Sequence, residues 1–427
     1  MAPQMRLSGG ELRNIYWLLS EHVARIVSGF LIGVIVARYL GPDNFGFYSY
    51  VTSIVAICAP LTRLGMDVVV IRALAEDPDN RNRYLNAAFG MRIAASLAVF
   101  LLSTITIILI PGEARIKAYA ILMVSSLLFG AGEVVDYYYQ AEIKSKFATI
   151  CRLIGLSISG AMKIYCMYSG KPLEYFFWIF FVDTIILNAL YVAMFRFKER
   201  QFIYPVFDRE FARRIMRMSW PLLISSVATT IYMRVDQIII LHFLDHRQVG
   251  LYAAATRIVE TFYVLPTLVG NTLFPGLVVS RKGSEITFEH QMIRLYRINV
   301  GISVVFALAM TVAAPYVVDV IFGAEFAPSA NVLLIEVWGA VFMSLLISSG
   351  KYLVATGDTA AVLQRNVGAA LINITLNLIL IPRFGIIGAA ISSLIATVFA
   401  SVFYDMLSRS HWPMLRMKFM ALGFKFS

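Results

Sequence analysis

Charge is scarce in this 427-residue chain: 15% of its residues are Asp, Glu, Lys or Arg, against about 25% in a soluble globular domain. Cysteine is scarcer, with Cys58, Cys151 and Cys166 all in apolar stretches and none in a CxxC or Cys/His spacing. That excludes a disulfide framework or a zinc-binding cysteine set and leaves three small hydrophobes. The five histidines show no metal-ligand spacing and no Walker A loop is present, so no cofactor and no ATP hydrolysis are expected. Met1–Arg13 is short and polar and lacks an apolar run with a cleavage site. No removable signal peptide is therefore expected, and the first apolar span would act as the insertion signal.

What the chain does have is apolar sequence, at 59% of residues and a mean hydropathy of +0.74. Lipid is the solvent that accommodates such an excess, and a bilayer core takes about 20 mostly apolar residues of helix per crossing. Such runs recur at Asn14–Ala37, Tyr48–Val70, Tyr84–Ile110, Ala118–Tyr139, Phe147–Tyr168 and Glu174–Phe195. They recur again at Ile215–Leu241, Val249–Val279, Ile298–Phe322, Asn331–Ala355, Ala360–Ile381 and Ile386–Leu407. Barrel strands would alternate over about ten residues, so these runs predict an all-α integral membrane protein of about twelve spans.

The net charge of +11 reads as loop charge on one side of a membrane rather than as a nucleic-acid surface, and no nucleic-acid partner is expected. The tails and the even-to-odd loops, with the first turns that follow them, hold 24 Lys and Arg, whereas the odd-to-even loops hold 6. The positive-inside rule then places both termini in the cytoplasm, and an even number of spans agrees with that.

The chain also repeats itself. "VARYLGPDNFGFYSY" after the first span aligns with "ILHFLDHRQVGLYAA" after the seventh, with Leu40, Gly46 and Tyr48 falling on Leu244, Gly250 and Tyr252 at an offset of 204. "CRLIGLSISGAMK" aligns with "QRNVGAALINITL", Arg152 and Gly155 falling on Arg365 and Gly368. The division expected is a six-span half over residues 1–196, a basic cytoplasmic linker over 197–217 and a second six-span half over 218–427. Halves of even span number share one orientation, so they are parallel repeats around a central cavity, a transporter layout.

Three stretches resemble the polysaccharide exporters of the multidrug/oligosaccharidyl-lipid/polysaccharide (MOP) superfamily, and the Wzx-type O-antigen flippases in particular. They are "VARYLGPDNFGFYSYVTSIVAICAPLTRLGMDVVVIR", "MSWPLLISSVATTIYMRVDQIIILHFLDHRQVGLYAAATRIVE" and "LNLILIPRFGIIGAAISSLIA". "DYYYQAEIKSKF" is a weaker match, with Ala141 where the family often has Gly. The resemblance implies a protein of the bacterial inner membrane that moves an undecaprenyl-pyrophosphate-linked oligosaccharide between leaflets. Polysaccharide polymerase and chain-length regulator proteins would be its partners beside membrane lipids.

Seven cations remain inside the predicted spans: Arg25, Arg63, Arg92, Lys163, Arg234, Arg257 and Lys351. Ionisable groups at such depth are costly and normally face the bundle interior. Arg25, Arg234 and Arg257, with Arg63, are the candidate lining of a cavity for pyrophosphate and sugar, because spans one, two, seven and eight are repeat partners. The competing reading is structural: a Glu21–Arg25, Arg63–Asp67, Arg234–Asp236 or Arg257–Glu260 pair. Asp236, Glu260 and Asp183 are the candidates for ion coupling, and Arg92, Lys163 and Lys351 for snorkelling near span ends. An ion-coupled drug exporter of the same superfamily is the alternative function. A membrane polymerase or glycosyltransferase is disfavoured, because the only long polar loop falls on the cytoplasmic side.

Overall fold

A computed structural model describes the backbone of residues 9–423 and the side chains from Arg25 onward, Lys282 and Thr359 excepted. Among the described residues every regular element is helical. The first helix, α1 (Gly9–Arg63), contains one break, at Gly41, whose φ of 69° lies in the left-handed region that glycine adopts without strain. It therefore holds two crossings. The rest of the first half is α2 (Asp67–Glu76), α3 (Arg81–Leu109), α4 (Ala114–Ser125), α5 (Val134–Ala141), α6 (Lys146–Tyr168) and α7 (Glu174–Glu199). The second half is α8 (Arg209–Phe243), α9 (His246–Phe262), α10 (Val264–Gly283), α11 (Glu285–Phe322), α12 (Ser329–Thr356), α13 (Thr359–Phe384), α14 (Ile386–Val398), α15 (Tyr404–Leu407) and α16 (Trp412–Ala421).

Eleven stretches are long and apolar enough to cross a membrane, the first of them, Arg25–Glu76, being 52 residues long. At 1.5 Å per residue that helix would be about 78 Å, more than twice a hydrocarbon core of about 30 Å. With its break at Gly41 it supplies two spans, which gives the twelve that the sequence predicts. Two crossings are composite: α4 reaches α5 through a tighter turn at Ser126–Glu133, and α14 reaches α15 through a π-helical turn at Phe399–Phe403. The last helix, α16, follows the final span and has no counterpart in the expected span list.

Helix starts follow capping chemistry. Asp245, Ser284 and Asp358 each accept a backbone N–H three residues on, at 2.8, 3.4 and 3.0 Å, and so satisfy a donor that the first turn would leave unpaired. The helix of the sixth span, α7, runs to Glu199 and α8 begins at Arg209, so the non-helical connection is shorter than the basic stretch suggests.

The chain forms two compact units. One, here the N-unit, comprises residues 9–39 with Tyr50–Val227; the other, the C-unit, comprises Leu40–Ser49 with residues 228–423. Met66, Leu74, Leu85, Val134, Tyr139 and Phe195 are among the buried side chains at the centre of the N-unit. In the C-unit, Phe288, Met292, Tyr296, Leu353 and Met414 form one core, and Ala228, Tyr232, Met343 and Ala369 another.

Leu40–Ser49 meets its own repeat within the C-unit. A Cβ at Gly46 would stand 1.7 Å from the carbonyl oxygen of His246, and one at Gly250 would stand 2.0 Å from that of Pro42. Only glycine permits either approach. Pro42 and His246 are themselves 204 apart, as are Gly46 and Gly250, so the contact is reciprocal. Asp43 and Arg247, a third equivalent pair, close an ion pair of 3.5 Å over it.

Candidate functional site

Asp236 accepts three side-chain hydrogen bonds within the C-unit. It lies on α8 and is 3% exposed. Its Oδ2 accepts the Tyr252 hydroxyl of α9 and the Ser393 hydroxyl of α14, each at 2.6 Å, and its Oδ1 accepts the Asn377 amide of α13. Asn377 also donates to Asn373 at 3.1 Å, and Asn373 to Ser393 at 3.3 Å. A second acid, Glu336 of α12, is also buried, and its Oε1 lies 3.1 Å from the same Tyr252 oxygen.

Helical spacing explains how the cluster is assembled. Asn373 and Asn377 are four residues apart and share one face of α13, and α9, α12, α13 and α14 each contribute a side chain around the acid of α8. Two carboxyls converge on one hydroxyl, which has a single proton to give. Among the described residues no lysine or arginine bonds either acid, and the Asn377 Oδ1 is buried without a donor. Buried charge needs a partner. The cluster thus gathers two buried acids around one shared hydroxyl.

The other candidates are placed differently. Glu260 takes Arg234 in an ion pair of 2.9 Å between α9 and α8. That joins residues which the sequence reading paired otherwise, Arg234 with Asp236 and Glu260 with Arg257. Arg257 is partly buried on α9, one turn before Glu260. In the N-unit, Arg25 is exposed on α1, and its expected partner Glu21 lies outside the described side chains. Asp183 of α7 is partly buried and feels the charge of Lys163 on α6.

Arg63 does not pair with Asp67. The helix ends between them, where Leu64 and Gly65 have φ of 55° and 60°, so four-residue spacing no longer puts them on one face. Arg63 instead reaches Glu133 at 3.3 Å, and Glu133 also holds Arg92 at 2.9 Å. Arg92 is 2% exposed, with Tyr137 as a second partner at 3.1 Å. It is a core cation rather than a snorkelling one. Beside this group Asp136 pairs with Arg152 at 3.0 Å.

Sequence reasoning missed Glu336. Its signal is a lone acid in the apolar run "NVLLIEVWGAVF", with no charged residue one helical turn away to mark it. It also treated Arg365 and Lys418 as loop charges, yet they are 4% and 2% exposed. Lys418 of α16 pairs with Asp405, donates to the Ser401 carbonyl at 2.5 Å and lies over the Tyr296 ring.

Comparison with known proteins gives a consistent pattern. A family model described as polysaccharide biosynthesis protein matches residues 12–281, and the MatE model matches 221–379. The probable low-salt glycan biosynthesis flippase Agl15 of Haloferax volcanii is 26% identical over 43% of this chain and 39% of its own length, so the chain spans well under half of that relative. The putative O-antigen transporter of Shigella flexneri is 21% identical over 84% of this chain and 88% of its own. Among solved structures, the inward closed lipid II flippase MurJ superposes with a TM-score of 0.74, covering 96% of this chain and 91% of that one at 13% identity. At that identity the likeness shows the fold alone.

Proposed function

Because the chain belongs to the polysaccharide biosynthesis protein family, a branch of the MOP exporters, we propose that it is a flippase for a lipid-linked oligosaccharide. The cargo is an undecaprenyl-pyrophosphate-linked repeat unit, moved from the cytoplasmic to the periplasmic leaflet of a bacterial inner membrane for O-antigen or related polysaccharide. The observation that carries this reading is the match of the polysaccharide biosynthesis family model over residues 12–281, to which Arg25, Arg234 and Arg257 add cations inside the spans. A pyrophosphate crossing a low-dielectric layer needs compensation. Guanidinium supplies it, because it stays charged when buried and forks onto phosphate oxygens. Arg25, Arg234 and Arg257, with Arg63, are assigned to that task, and the Asp236 cluster to the coupling cation. The two termini and the basic linker lie on the cytoplasmic side, as the loop charges dictate. Polymerase and chain-length regulator proteins act on the delivered product, and the chain itself performs no glycosyl transfer.

Proteoliposomes carrying a fluorescent undecaprenyl-pyrophosphate oligosaccharide test the assignment. The protein should make the labelled headgroup accessible to an impermeant quencher, with no sugar-chain extension. Replacing Arg25, Arg234 or Arg257 by Ala should lower that rate at least about tenfold at unchanged protein level, and Lys should restore part of it. Normal rates in all three Ala variants would remove the anion site. The drug-exporter alternative predicts instead that a lipophilic cation such as ethidium is pumped and the lipid-linked sugar ignored.

A further inference from the structure

The connection between the halves is not a slack tether. After α7 ends at Glu199 the chain is non-helical as far as α8, and it is fastened to α3 by its own backbone. The Tyr204 N–H donates to the Asn86 side-chain oxygen and the Val206 N–H to the Asn86 carbonyl, both at 3.2 Å. Asn86 is itself buried. A Cβ at Gly90 would lie 2.6 Å from the Val206 carbonyl oxygen, so α3 offers glycine where the linker crosses it. Ile203 turns inward and joins the N-unit core.

Pinning the backbone fixes where the other side chains go. Phe202, Tyr204 and Phe207 are 69%, 58% and 70% exposed, and Phe197, in the last turn of α7, is 81% exposed. Large aromatics held outward by a fixed backbone belong at a boundary between water and hydrocarbon. Their depth agrees. Asn86 is five residues into α3, about 8 Å along its axis, just where the sequence of α3 turns apolar at Leu85, Ala87, Ala88 and Phe89.

The charges around these rings are predominantly positive. Arg196, Lys198, Arg200, Arg209 and Arg213 are all exposed. Arg196 stacks its guanidinium 4.0 Å over the Phe202 ring. Three acids lie in the same stretch: Asp208 pairs with Arg83 at 2.6 Å, Glu199 accepts the Tyr138 hydroxyl at 3.1 Å and Glu210 is exposed, so the cations outnumber the acids.

We infer that residues 196–217 form a docking platform for anionic phospholipid of the leaflet they border, the pinned aromatics entering the acyl boundary and the flanking cations taking the headgroup phosphates. The bordering leaflet is the occupant because a fixed apolar edge at membrane depth meets lipid wherever the protein is inserted, and the surplus of cations selects lipids that carry net negative charge. The inference is independent of the cargo: it holds for any substrate of the bundle.

The test uses the full chain with Cys58, Cys151 and Cys166 replaced by Ala and Gln201→Cys labelled with an environment-sensitive dye, in phosphatidylcholine nanodiscs containing phosphatidylglycerol. Bromine is placed on the acyl chains of one lipid or the other at equal mole fraction. Brominated phosphatidylglycerol should quench the dye at least about twofold more than brominated phosphatidylcholine, a preference that shrinks with salt. Joint replacement of Arg200, Arg209 and Arg213 by Gln should bring the ratio to about one, replacement by Lys should retain it, and F202A/F207A should weaken both quenchings. Equal quenching by the two lipids in the parent protein overturns the headgroup selection. A dye that neither lipid quenches overturns the platform altogether and leaves a water-soluble protein as the occupant of this face.

Discussion

Two carboxyls that meet at one tyrosine hydroxyl cannot both be satisfied by it, and this decides what Asp236 and Glu336 do. Removing the charge while keeping the shape separates their roles. Asp236→Asn leaves the Tyr252 and Ser393 hydroxyls an oxygen to bond, so the fold should persist, yet the cluster loses the carboxylate proposed to take the coupling cation. Transport in proteoliposomes driven by an ion gradient should fall at least about tenfold, with the thermal midpoint within a few degrees of the parent. Glu336→Gln keeps Asp236 intact and should shift the pH or ion concentration for half-maximal rate without abolishing transport. Full ion-driven activity in Asp236→Asn would reject the coupling role. Glu260 and Asp183 give a contrasting expectation: each already has a basic neighbour, Arg234 and Lys163, and so less need of an external cation.

At the scale of elements, α16 shows how one residue fastens a helix. Met414 and Met417 are buried in the C-unit core, and Lys418 reaches the Ser401 carbonyl, which belongs to the π-helical turn, together with Asp405. Removing one partner of a buried pair costs about 3–5 kcal/mol because it strands the other charge. Lys418→Met should therefore lower the thermal midpoint in detergent markedly, whereas the double variant with Asp405→Asn should recover most of the loss. If the double variant is no better than the single one, the pair is not what holds α16.

Three connections respond to acid. Asp77 is held below the usual carboxylate range by hydrogen bonds from Tyr84 and Asn80. Asp208 is held down by the backbone N–H of Phe211 and by Arg83, and Asp358 by the N–H of Ala361 and by His411. A carboxyl whose folded pKa is depressed contributes stability that is present above its unfolded value, about 3.9, and lost as the pH falls through the folded one. Amide hydrogen exchange at the starts of α3, α8 and α13 should accelerate below pH 4 beyond its intrinsic pH dependence, and Asp208→Asn should abolish that extra response at α8.

At the scale of the whole molecule, the sequence made the span count legible because each crossing is a long apolar run whatever its neighbours do. The Arg63–Asp67 pairing failed for a local reason, the helix end at Leu64 and Gly65, which apolar composition hides. The Asp236 cluster was half legible. Its central acid stood out as a charge at depth, but Tyr252, Asn373, Asn377 and Ser393 come from three other helices and only packing brings them together. Lys418 falls in the C-terminal tail and Arg365 in the first turns of a span, where charge is expected to meet water, yet packing within the C-unit buries both.

The glycine contact tests how far the repeat governs the fold. Gly46→Ala puts a methyl group into the His246 carbonyl and should destabilise by about 1–3 kcal/mol or more. Gly250→Ala should do the same against Pro42 by a similar amount, read as matched drops in thermal midpoint. Unequal effects would mean that the two faces of the contact are not equivalent. The reciprocity has a consequence for substitution. A surface that meets its own copy, residue for residue, is the geometry of a two-fold interface. Here such a contact lies inside one polypeptide, and each glycine makes room for a carbonyl of the other's segment, so one steric requirement is written into the sequence twice.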